Sequence, residues 1–418
     1  MLKRFSLGTG DRFGQQGKAQ LKAIAKVKEE HDVLITPVWN KSNREHQIIG
    51  TEPQDVREEA DTATNLLGWD EAYCVDADHI TKESVDPFID CSNFFTIDVA
   101  EYIGENSDPA DKEAFLRKNA DLVGNIKIPD IEEEFQVTES FLDSWADQYL
   151  LAIQQAREIF EYIRGEKSGD AVFEISMDEV ETPQRPIELY FILKTAAENG
   201  IQINTIAPKF TGDFYKGIDY VGNIEQFATE FEQDILVIAY AVGKFNLSSD
   251  LKLSIHSGSD KFSLYPRIHK LLKKHDTGVH LKTSGTTWLE ELIGLAEAGN
   301  DGLEMVKSMY EEAHGRYDEL TGPYKPVINI NQNALPSPEE FSGWSSKEIV
   351  NKLTHNPSHS DFDPQLRQFL HCSYKIAAEQ GKTFIDLLHK YEHNIAPKVT
   401  NNLYQRHIKP LFMGEKAW

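Results

Sequence analysis

Cysteine is scarce in this chain of 418 residues, which contains three. Cys74, Cys91 and Cys372 lie far apart and form no C-x-x-C pair. This pattern favours neither a disulfide framework nor a zinc knuckle. The fold must then depend on a hydrophobic core, which a content of 40% hydrophobic residues can supply.

Long apolar runs are also missing. No uninterrupted apolar stretch approaches the roughly 18 residues that a membrane span needs. Residues 1–6 are followed by glycines and charges instead of the apolar stretch of a signal peptide. We therefore expect a soluble, cytoplasmic protein.

Positive charge is in deficit, with 43 basic against 68 acidic residues and a net charge of −25 at pH 7. Such a surface repels phosphate backbones and anionic lipid, so we expect neither nucleic acid nor a membrane as a partner. The expected partner is a small molecule, and the sequence leaves a homo-oligomer open.

Two common catalytic motifs are absent. Residues 8–14 read G-x-G-x-x-x-G, with Phe13 where the third glycine of a dinucleotide-binding fingerprint belongs. The G-x-S-x-G motif does not occur, so Ser257 is not the nucleophile of a hydrolase elbow. The sequence therefore argues against a nicotinamide site and a serine hydrolase.

The chain instead alternates short β-rich runs with longer helical patterns. The candidate strands are Phe5–Thr9, Val33–Val38, Ala72–Asp76, Phe94–Asp98, Ala171–Met177, Gln202–Ala207, Lys252–His256 and Gly278–Lys282. Eight βα units in series predict an α/β fold, a (β/α)8 TIM-type barrel, ahead of an open doubly wound sheet.

Two regions fall outside this alternation. Residues 101–134 are acidic and predict a helical insertion after the fourth strand. From residue 323 onward the patterns are helical without strands. We therefore predict a catalytic barrel domain over residues 1–322 and a helical extension over 323–418 that packs on the barrel.

Chemistry collects at the carboxyl ends of the strands of such a barrel, where alternate side chains face the lumen. Strand parity turns one set of polar side chains inward: Asp76, Asp78, Glu174, Ser176, Asp178, His256, His280 and Lys282, with His79 at the rim. Imidazole with carboxylate is typical of a divalent metal that acts as a Lewis acid. The predicted ligands are His79, His256 and His280, with Asp178 opposite. Other histidines are expected on the surface: His31, His46, His275 and His355.

Three loops beyond these strands also carry polar groups. The loop 256–261 is rich in glycine and serine and leads into a helix, and the loop 283–287 is of the same type. Both loops therefore suit an anionic ligand group. The alternative is that Ser257, Ser259 and Thr286 are simple helix caps. The long loop 208–222 is bounded by glycines and rich in aromatic residues, which favours a substrate lid.

Several of these segments resemble the tagaturonate epimerase family. The matching blocks run in order over roughly residues 70–290: Phe173–Glu179 with Thr182–Pro183, Ile206–Phe210, Gly212–Phe214, Lys216–Tyr220, Leu253–Phe262 and His280–Thr283. The resemblance implies an enzyme that interconverts D-tagaturonate and D-fructuronate and depends on a divalent metal. Zinc, manganese, nickel and iron all stay open.

A ketouronate substrate carries a carboxylate, which basic residues at the rim would hold. The predicted binding residues are Lys209, Lys261 and Lys282, with Arg12 beside them. Asp78 and Asp178 project from well-separated strands, so we expect them to move protons on opposite faces of the sugar acid. Asp213 and Asp219 on the long loop are alternative proton donors.

The stereocentre that changes lies one carbon beyond the position that the ketone activates. Reversible aldol cleavage is therefore easier than direct deprotonation. Oxidation and reduction through a nicotinamide is the other route. Two alternative functions also stay open: another metal-dependent sugar isomerase or aldolase, and a non-catalytic sugar-acid binding protein.

Overall fold

Eight parallel strands close into a barrel in the computed structural model, which describes residues 2–283 and 285–416. The strands are β1 (Phe5–Thr9), β2 (Ile35–Ser42), β3 (Cys74–Ile80), β4 (Phe94–Asp98), β7 (Val172–Ser176), β8 (Thr205–Ala207), β9 (Lys252–His256) and β10 (Val279–Lys282). They pair in the order β1-β2-β3-β4-β7-β8-β9-β10, and β10 returns to β1. The predicted barrel is confirmed, strand by strand.

The barrel strands alternate because their two faces meet different surroundings. Phe173, Ile175 and Ile255 belong to the large apolar core. Neighbouring positions such as Glu174 and Ser254 are buried polar groups. The lumen is thus lined by polar side chains that the strands hold at fixed height.

Helices surround the barrel and continue beyond it. The helices up to the last strand are α1 (Gly17–His31), α2 (Asn43–Ile49), α3 (Pro53–Leu67), α4 (Pro109–Asn119), α5 (Glu139–Trp145), α6 (Leu151–Glu166), α7 (Pro186–Glu198), α8 (Ile224–Phe245) and α9 (Tyr265–Lys274). A π-helical stretch, Ala146–Leu150, joins α5 to α6. In the described part of the chain no helix is both long and apolar enough to cross a membrane.

The predicted insertion is helical only in part. It contains α4 and β5 (Gly124–Lys127), and β5 forms an antiparallel hairpin with β6 (Glu134–Val137), which begins at the last residue of the predicted insertion. Ile126 and Phe135 are buried there while their strand neighbours are exposed. This short alternation is easily overlooked within an acidic segment, because so few apolar residues mark it.

The chain after β10 is helical throughout its described part. Its helices are α10 (Thr286–Ala298), α11 (Asn300–Gly315), α12 (Tyr317–Thr321), α13 (Pro338–Gly343), α14 (Ser346–Leu353), α15 (Pro364–Cys372), α16 (Tyr374–Gln380), α17 (Lys382–Lys390) and α18 (Glu392–Asn401), and a π-helical segment ends them at Asn402–Met413. Helix α10 is buried from Thr286 to Ala296 and packs against the helices that follow it, α11, α14, α15, α17 and α18. The predicted domain boundary falls at the turn Gly322–Val327 and stays a prediction.

Candidate active site

Three side chains meet at the carboxyl ends of β3, β7 and β9. His79 Nε2 lies 3.3 Å from Asp178 Oδ1, and His256 Nδ1 lies 3.0 Å from the same oxygen. One ligand atom from each residue lies within 4.8 Å of the other two, which is the spacing of groups around a single metal ion. We call these three residues the mouth cluster.

An irregular backbone brings His79 into this cluster. The pairing of β3 with β4 shifts between Ala77 and Ile80, and His79 adopts a φ of 52°. A histidine with positive φ is uncommon and costs conformational energy. Regular alternation from Asp78 would turn the next side chain toward the helices, so the irregularity is what aims His79 at the barrel mouth.

Each histidine of the mouth cluster is held by a second carboxylate. Asp78 Oδ1 lies 3.0 Å from His79 Nδ1, and Glu174 Oε1 lies 2.7 Å from His256 Nε2. The opposite ring nitrogens are thereby turned toward Asp178. This carboxylate–histidine arrangement typically surrounds metal ligands, because the carboxylate fixes the orientation of the ring.

A ring nitrogen without an aligned hydrogen bond also makes the mouth cluster suitable for a divalent metal. His256 Nδ1 is buried and close to Asp178, yet it is not aligned as a hydrogen bond to any described group. Once its proton is released, this nitrogen can bind a ligand. Two imidazoles and one carboxylate with open positions suit zinc, iron, manganese or nickel.

The charges of the mouth cluster are strongly coupled. Burial lowers the pKa of His256, but Asp178 and Glu174 outweigh this and raise it to about 9. Burial also lowers the pKa of His79, but Asp78 and Asp178 outweigh burial and raise this pKa well above its ordinary value. Although burial raises the pKa of Asp178, the two imidazoles hold it well below its ordinary range. Without a metal, protons on the imidazoles balance the carboxylates.

Lys282 occupies the centre of the lumen below this cluster. Its Nζ lies 2.8 Å from both Asp76 Oδ2 and Asp78 Oδ1 and 3.2 Å from Glu174 Oε1. Burial alone would lower the pKa of Lys282, but these three carboxylates raise it well above its ordinary value. The ammonium group of Lys282 thus neutralises these carboxylates, and its predicted binding of the substrate carboxylate stays a prediction.

His280 lies deeper in the barrel than predicted. Its Nδ1 lies 2.9 Å from Ser6 Oγ, and its ring packs 5.2 Å from that of Phe94. Burial lowers the pKa of His280 to about 3, so the ring is neutral. The inward direction was predicted correctly, but the residue stands two positions before the strand end and does not join the mouth cluster.

The two predicted acid–base carboxylates do not face each other across the mouth. Asp78 and Asp178 contact opposite nitrogens of the same ring, that of His79. Asp78 is also paired with Lys282, which suits it to orienting His79 more than to moving protons. Asp178 belongs to the mouth cluster, whose donor atoms are spaced as around a metal ion.

The long loop 208–222 is fastened by residues that were expected to touch substrate. Lys261 Nζ donates to the carbonyl oxygens of Tyr215 and Ile218, at 2.9 and 2.8 Å, and burial lowers the pKa of Lys261 to about 7. Asp219 accepts from the backbone N–H of Ser263 at 3.1 Å and from its hydroxyl at 2.9 Å. Both residues therefore hold the loop, and their predicted roles toward substrate stay predictions.

Two further predicted binding residues differ in their surroundings. Arg12 is buried, with Nε 3.2 Å from Glu45 Oε1 and its guanidinium 3.9 Å from the ring centre of Tyr374. Lys209 is half-buried, and no described carboxylate forms an ion pair with its ammonium group. Lys209 therefore stays a candidate for anion binding, whereas Arg12 is already neutralised. Ser284 of the loop 283–287 lies outside the described residues.

Asp98 is a carboxylate at the mouth that the sequence reasoning missed. It ends β4 beside Ser176, on the same face as the inward Thr96. Burial raises the pKa of Asp98, which makes its carboxylate a stronger base. The parity argument used for the other strands would have found it.

Two histidines expected on the surface are buried, His46 and His355. His355 belongs to a second buried group, the Asp260 cluster, formed by Asp260, His355, Arg367 and His407. Arg367 Nη2 donates to Asp260 Oδ2 at 2.7 Å, and the two histidine rings lie 3.0 and 3.1 Å from the carboxylate. This cluster joins the loop after β9 to the C-terminal helices.

Comparisons with known proteins agree with one another. Residues 1–411 match the family model of UxaE, described as tagaturonate epimerase. The Thermotoga maritima tagaturonate/fructuronate epimerase is 30% identical over 386 residues, covering 89% of this chain and 73% of that protein. The crystal structure of the Cohnella laeviribosi fructuronate-tagaturonate epimerase with one glycerol matches with a TM-score of 0.80 at 24% identity, over 98% of this chain and 81% of that one. Its native form gives 0.79 at 24% identity, over 98% and 82%.

Proposed function

The chain belongs to the tagaturonate epimerase family and is thus an isomerase, and from that premise we propose that it interconverts D-tagaturonate and D-fructuronate with the help of a divalent metal. The observation that carries the metal is the mouth cluster, in which two imidazole nitrogens and a carboxylate oxygen converge within 4.8 Å.

The ligands would be His79 Nε2, His256 Nδ1 and Asp178. When bound, a divalent cation supplies Lewis-acid stabilisation of negative charge on substrate oxygens. Asp78 and Glu174 keep the two rings in place, since each accepts from the ring nitrogen opposite the ligand atom. Lys282 offsets the charge of these buried carboxylates.

We propose that the stereocentre inverts by aldol cleavage and recombination. The hydroxyl group on the inverting carbon gives up its proton as the bond to the carbon next to the ketone breaks, leaving an aldehyde and an enediolate. The aldehyde turns over, the carbon–carbon bond forms again on its other face, and the proton returns to the new hydroxyl group. Asp98 is the residue best placed to hold that proton, because it stands at the mouth with a raised pKa.

An aldehyde fragment must not escape during this sequence. The loop 208–222 supports containment, because Lys261 binds two of its carbonyl oxygens and Gly217 N–H donates to Ser259 Oγ at 2.9 Å. We propose that this loop, tied at several points, covers the site during the reaction and excludes water.

The reaction in heavy water tests the mechanism. We expect no deuterium at the inverted carbon, because its C–H bond stays intact throughout aldol cleavage, and no effect of added or stripped nicotinamide. Deuterium at that carbon would establish direct deprotonation and overturn the aldol route. Carbon isotope effects at both carbons of the cleaved bond provide the confirming measurement.

A substrate comparison separates this function from its rivals. D-tagaturonate should be turned over far faster than D-tagatose, and chelation should abolish the activity until metal is restored. Preference for the neutral ketose would indicate another sugar isomerase or aldolase. Binding of the acid without turnover, and without need of metal, would indicate a sugar-acid binding protein.

A further inference from the structure

Lys216, in the loop between β8 and α8, carries an unpaired positive charge. No carboxylate in residues 2–283 and 285–416 forms an ion pair with its ammonium group. The ammonium group stands against Gly258, where an added methyl carbon would lie 3.1 Å from Nζ. Its backbone is fixed, since Lys216 N–H donates to Val327 O at 2.8 Å. In a chain of net charge −25, an ammonium group without an ion pair is a candidate partner for a bound anion.

His371, from helix α15, offers a hydrogen-bond donor nearby. Its Nε2 lies 3.1 Å from Arg12 Nη2. A guanidinium group can only donate, so Nε2 accepts and the proton of the neutral ring sits on Nδ1. That Nδ1–H is buried and has no partner among the described residues. Burial, Arg12 and Lys216 lower the pKa of His371 well below its ordinary value, which keeps the ring in this form.

Two glycines bring these groups to the same stretch of backbone. Gly285 N–H donates to Gly258 O at 3.0 Å, and a methyl group on Gly285 would collide with His371 Cε1, the ring carbon between the two nitrogens. Gly258 has a φ of 66°, which disfavours any other residue. Lys216 and His371 therefore border the same loop from two sides.

This loop begins at the mouth cluster. Gly258 follows His256 by two residues, so their Cα atoms are separated by at most about 7.6 Å. In the ketouronates of the proposed function, the carboxylate is two carbons from the inverting carbon. This short separation along the backbone supports a single sugar acid that contacts both places.

We propose that the Lys216 ammonium group and His371 Nδ1–H bind the carboxylate of the sugar acid and so select a ketouronate over a neutral ketose. This assignment rests on the proposed function for the position of the reacting carbon. One donor for each oxygen gives two hydrogen bonds to a charged group, which are stronger than neutral ones. The C-terminal region thus supplies part of the substrate site.

Three other cations near the mouth already have partners. Lys261 donates to backbone carbonyls and Lys282 to carboxylates, while Arg12 is paired with Glu45. Lys209 has no such ion pair and is the competing candidate.

The test measures how much the substrate carboxylate contributes to kcat/KM in matched variants of the full chain. Lys216→Met should lower kcat/KM for D-tagaturonate at least 100-fold while leaving the much slower D-tagatose reaction unchanged. Lys273→Met, which removes an exposed lysine of α9, is the control and should behave as wild type. Equal losses for both substrates would overturn the assignment, as would a charge-selective loss in Lys209→Met and not in Lys216→Met.

Calorimetry separates this assignment from the proposed reaction. D-gluconate and D-glucitol differ by the carboxylate and carry no ketone to cleave. Wild type should bind D-gluconate more tightly, and Lys216→Met should erase that preference. If this holds for a protein that fails to epimerise D-tagaturonate, the proposed function falls and the carboxylate site stands. If the preference survives in Lys216→Met, the carboxylate site falls whatever the activity.

The tautomer of His371 gives an independent check. Asparagine places its amide near the Nδ1 position of histidine, and glutamine near Nε2. We expect His371→Asn to keep more of the D-gluconate preference than His371→Gln, with both variants folded by circular dichroism. The reverse order would remove His371 Nδ1 from the site.

Discussion

Two clusters of histidine and carboxylate differ in how fully their hydrogen-bonding groups are satisfied: the half-buried mouth cluster and the buried Asp260 cluster. In the Asp260 cluster a single carboxylate receives two hydrogen bonds on each oxygen. The donors are Thr286 Oγ1, His355 Nδ1, Arg367 Nη2 and His407 Nε2. A carboxylate has about four acceptor positions, so this cluster is complete without any ligand.

The mouth cluster is incomplete by the same measure. Its two rings are surrounded by three carboxylates, those of Asp78, Glu174 and Asp178, and His256 Nδ1 makes no aligned hydrogen bond among the described residues. A cation can replace the protons on the two imidazoles and bind the ring nitrogen that makes no aligned hydrogen bond. Unsatisfied hydrogen-bonding groups, and not the residue types, thus distinguish a ligand site from a structural one.

The largest effect is expected from a substitution that disrupts the mouth cluster. His256→Ala should leave a folded, metal-poor protein whose turnover falls by more than the roughly 10–100-fold typical of losing an outer partner. Elemental analysis and kcat measure this. His407→Ala, the matched change in the Asp260 cluster, should keep its metal. Wild-type metal content in His256→Ala would remove that residue from the site.

The next effect breaks the Asp260 cluster. Arg367→Met leaves Asp260 buried without its positive partner and should lower the free energy of unfolding by about 3–5 kcal/mol. Urea denaturation measures the loss. Arg157→Met removes an exposed pair with Glu161 and should cost at most about 0.5 kcal/mol. Similar losses in the two variants would mean that the Asp260 cluster is not structural.

The comparison also shows how far the sequence reaches. Alternation within short runs located all eight barrel strands, because a strand with one apolar and one polar face repeats every two residues. The same parity placed Asp78, Glu174 and His256 in the lumen. It also favoured the inward direction of His280, although not its depth.

Contacts between distant segments were not predictable in this way. Asp260 meets His407 across 147 residues, and neither residue lies in a local pattern that names the other. The backbone irregularity at His79 depends on how β3 pairs with β4, which no propensity within β3 reveals. Strand parity predicts which face of a strand a side chain lies on. Which hydrogen bonds that side chain makes depends on segments that only the folded structure brings together.

A smaller effect sharpens the role of the outer carboxylates. Asp78→Asn keeps a group beside His79 Nδ1 but removes the charge that fixes the ring, so metal affinity should fall about 10–100-fold. Competition with a chelator of known affinity measures this. Asp386→Asn, at an exposed ion pair with Lys382, should leave metal affinity unchanged. An unchanged affinity in Asp78→Asn would show that His79 needs no partner.

The smallest effect concerns protons and leaves both clusters intact. In metal-free protein, ring NMR signals should show His256 titrating near its raised pKa of about 9, whereas His407, whose pKa burial lowers, should stay neutral below pH 6.5. A raised pKa contributes stability that is full below the unfolded value near 6.5 and lost as pH rises through 9. A lowered histidine pKa does the reverse, because below pH 6.5 the unfolded chain takes up a proton that the folded ring refuses. Each ring changes stability by at most about 1.4 kcal/mol per pH unit.

Bound metal should abolish the His256 titration and leave that of His407 unchanged, and metal uptake at pH 7 should release protons. A metal-insensitive His256 would mean that the mouth cluster, like the Asp260 cluster, is complete in itself.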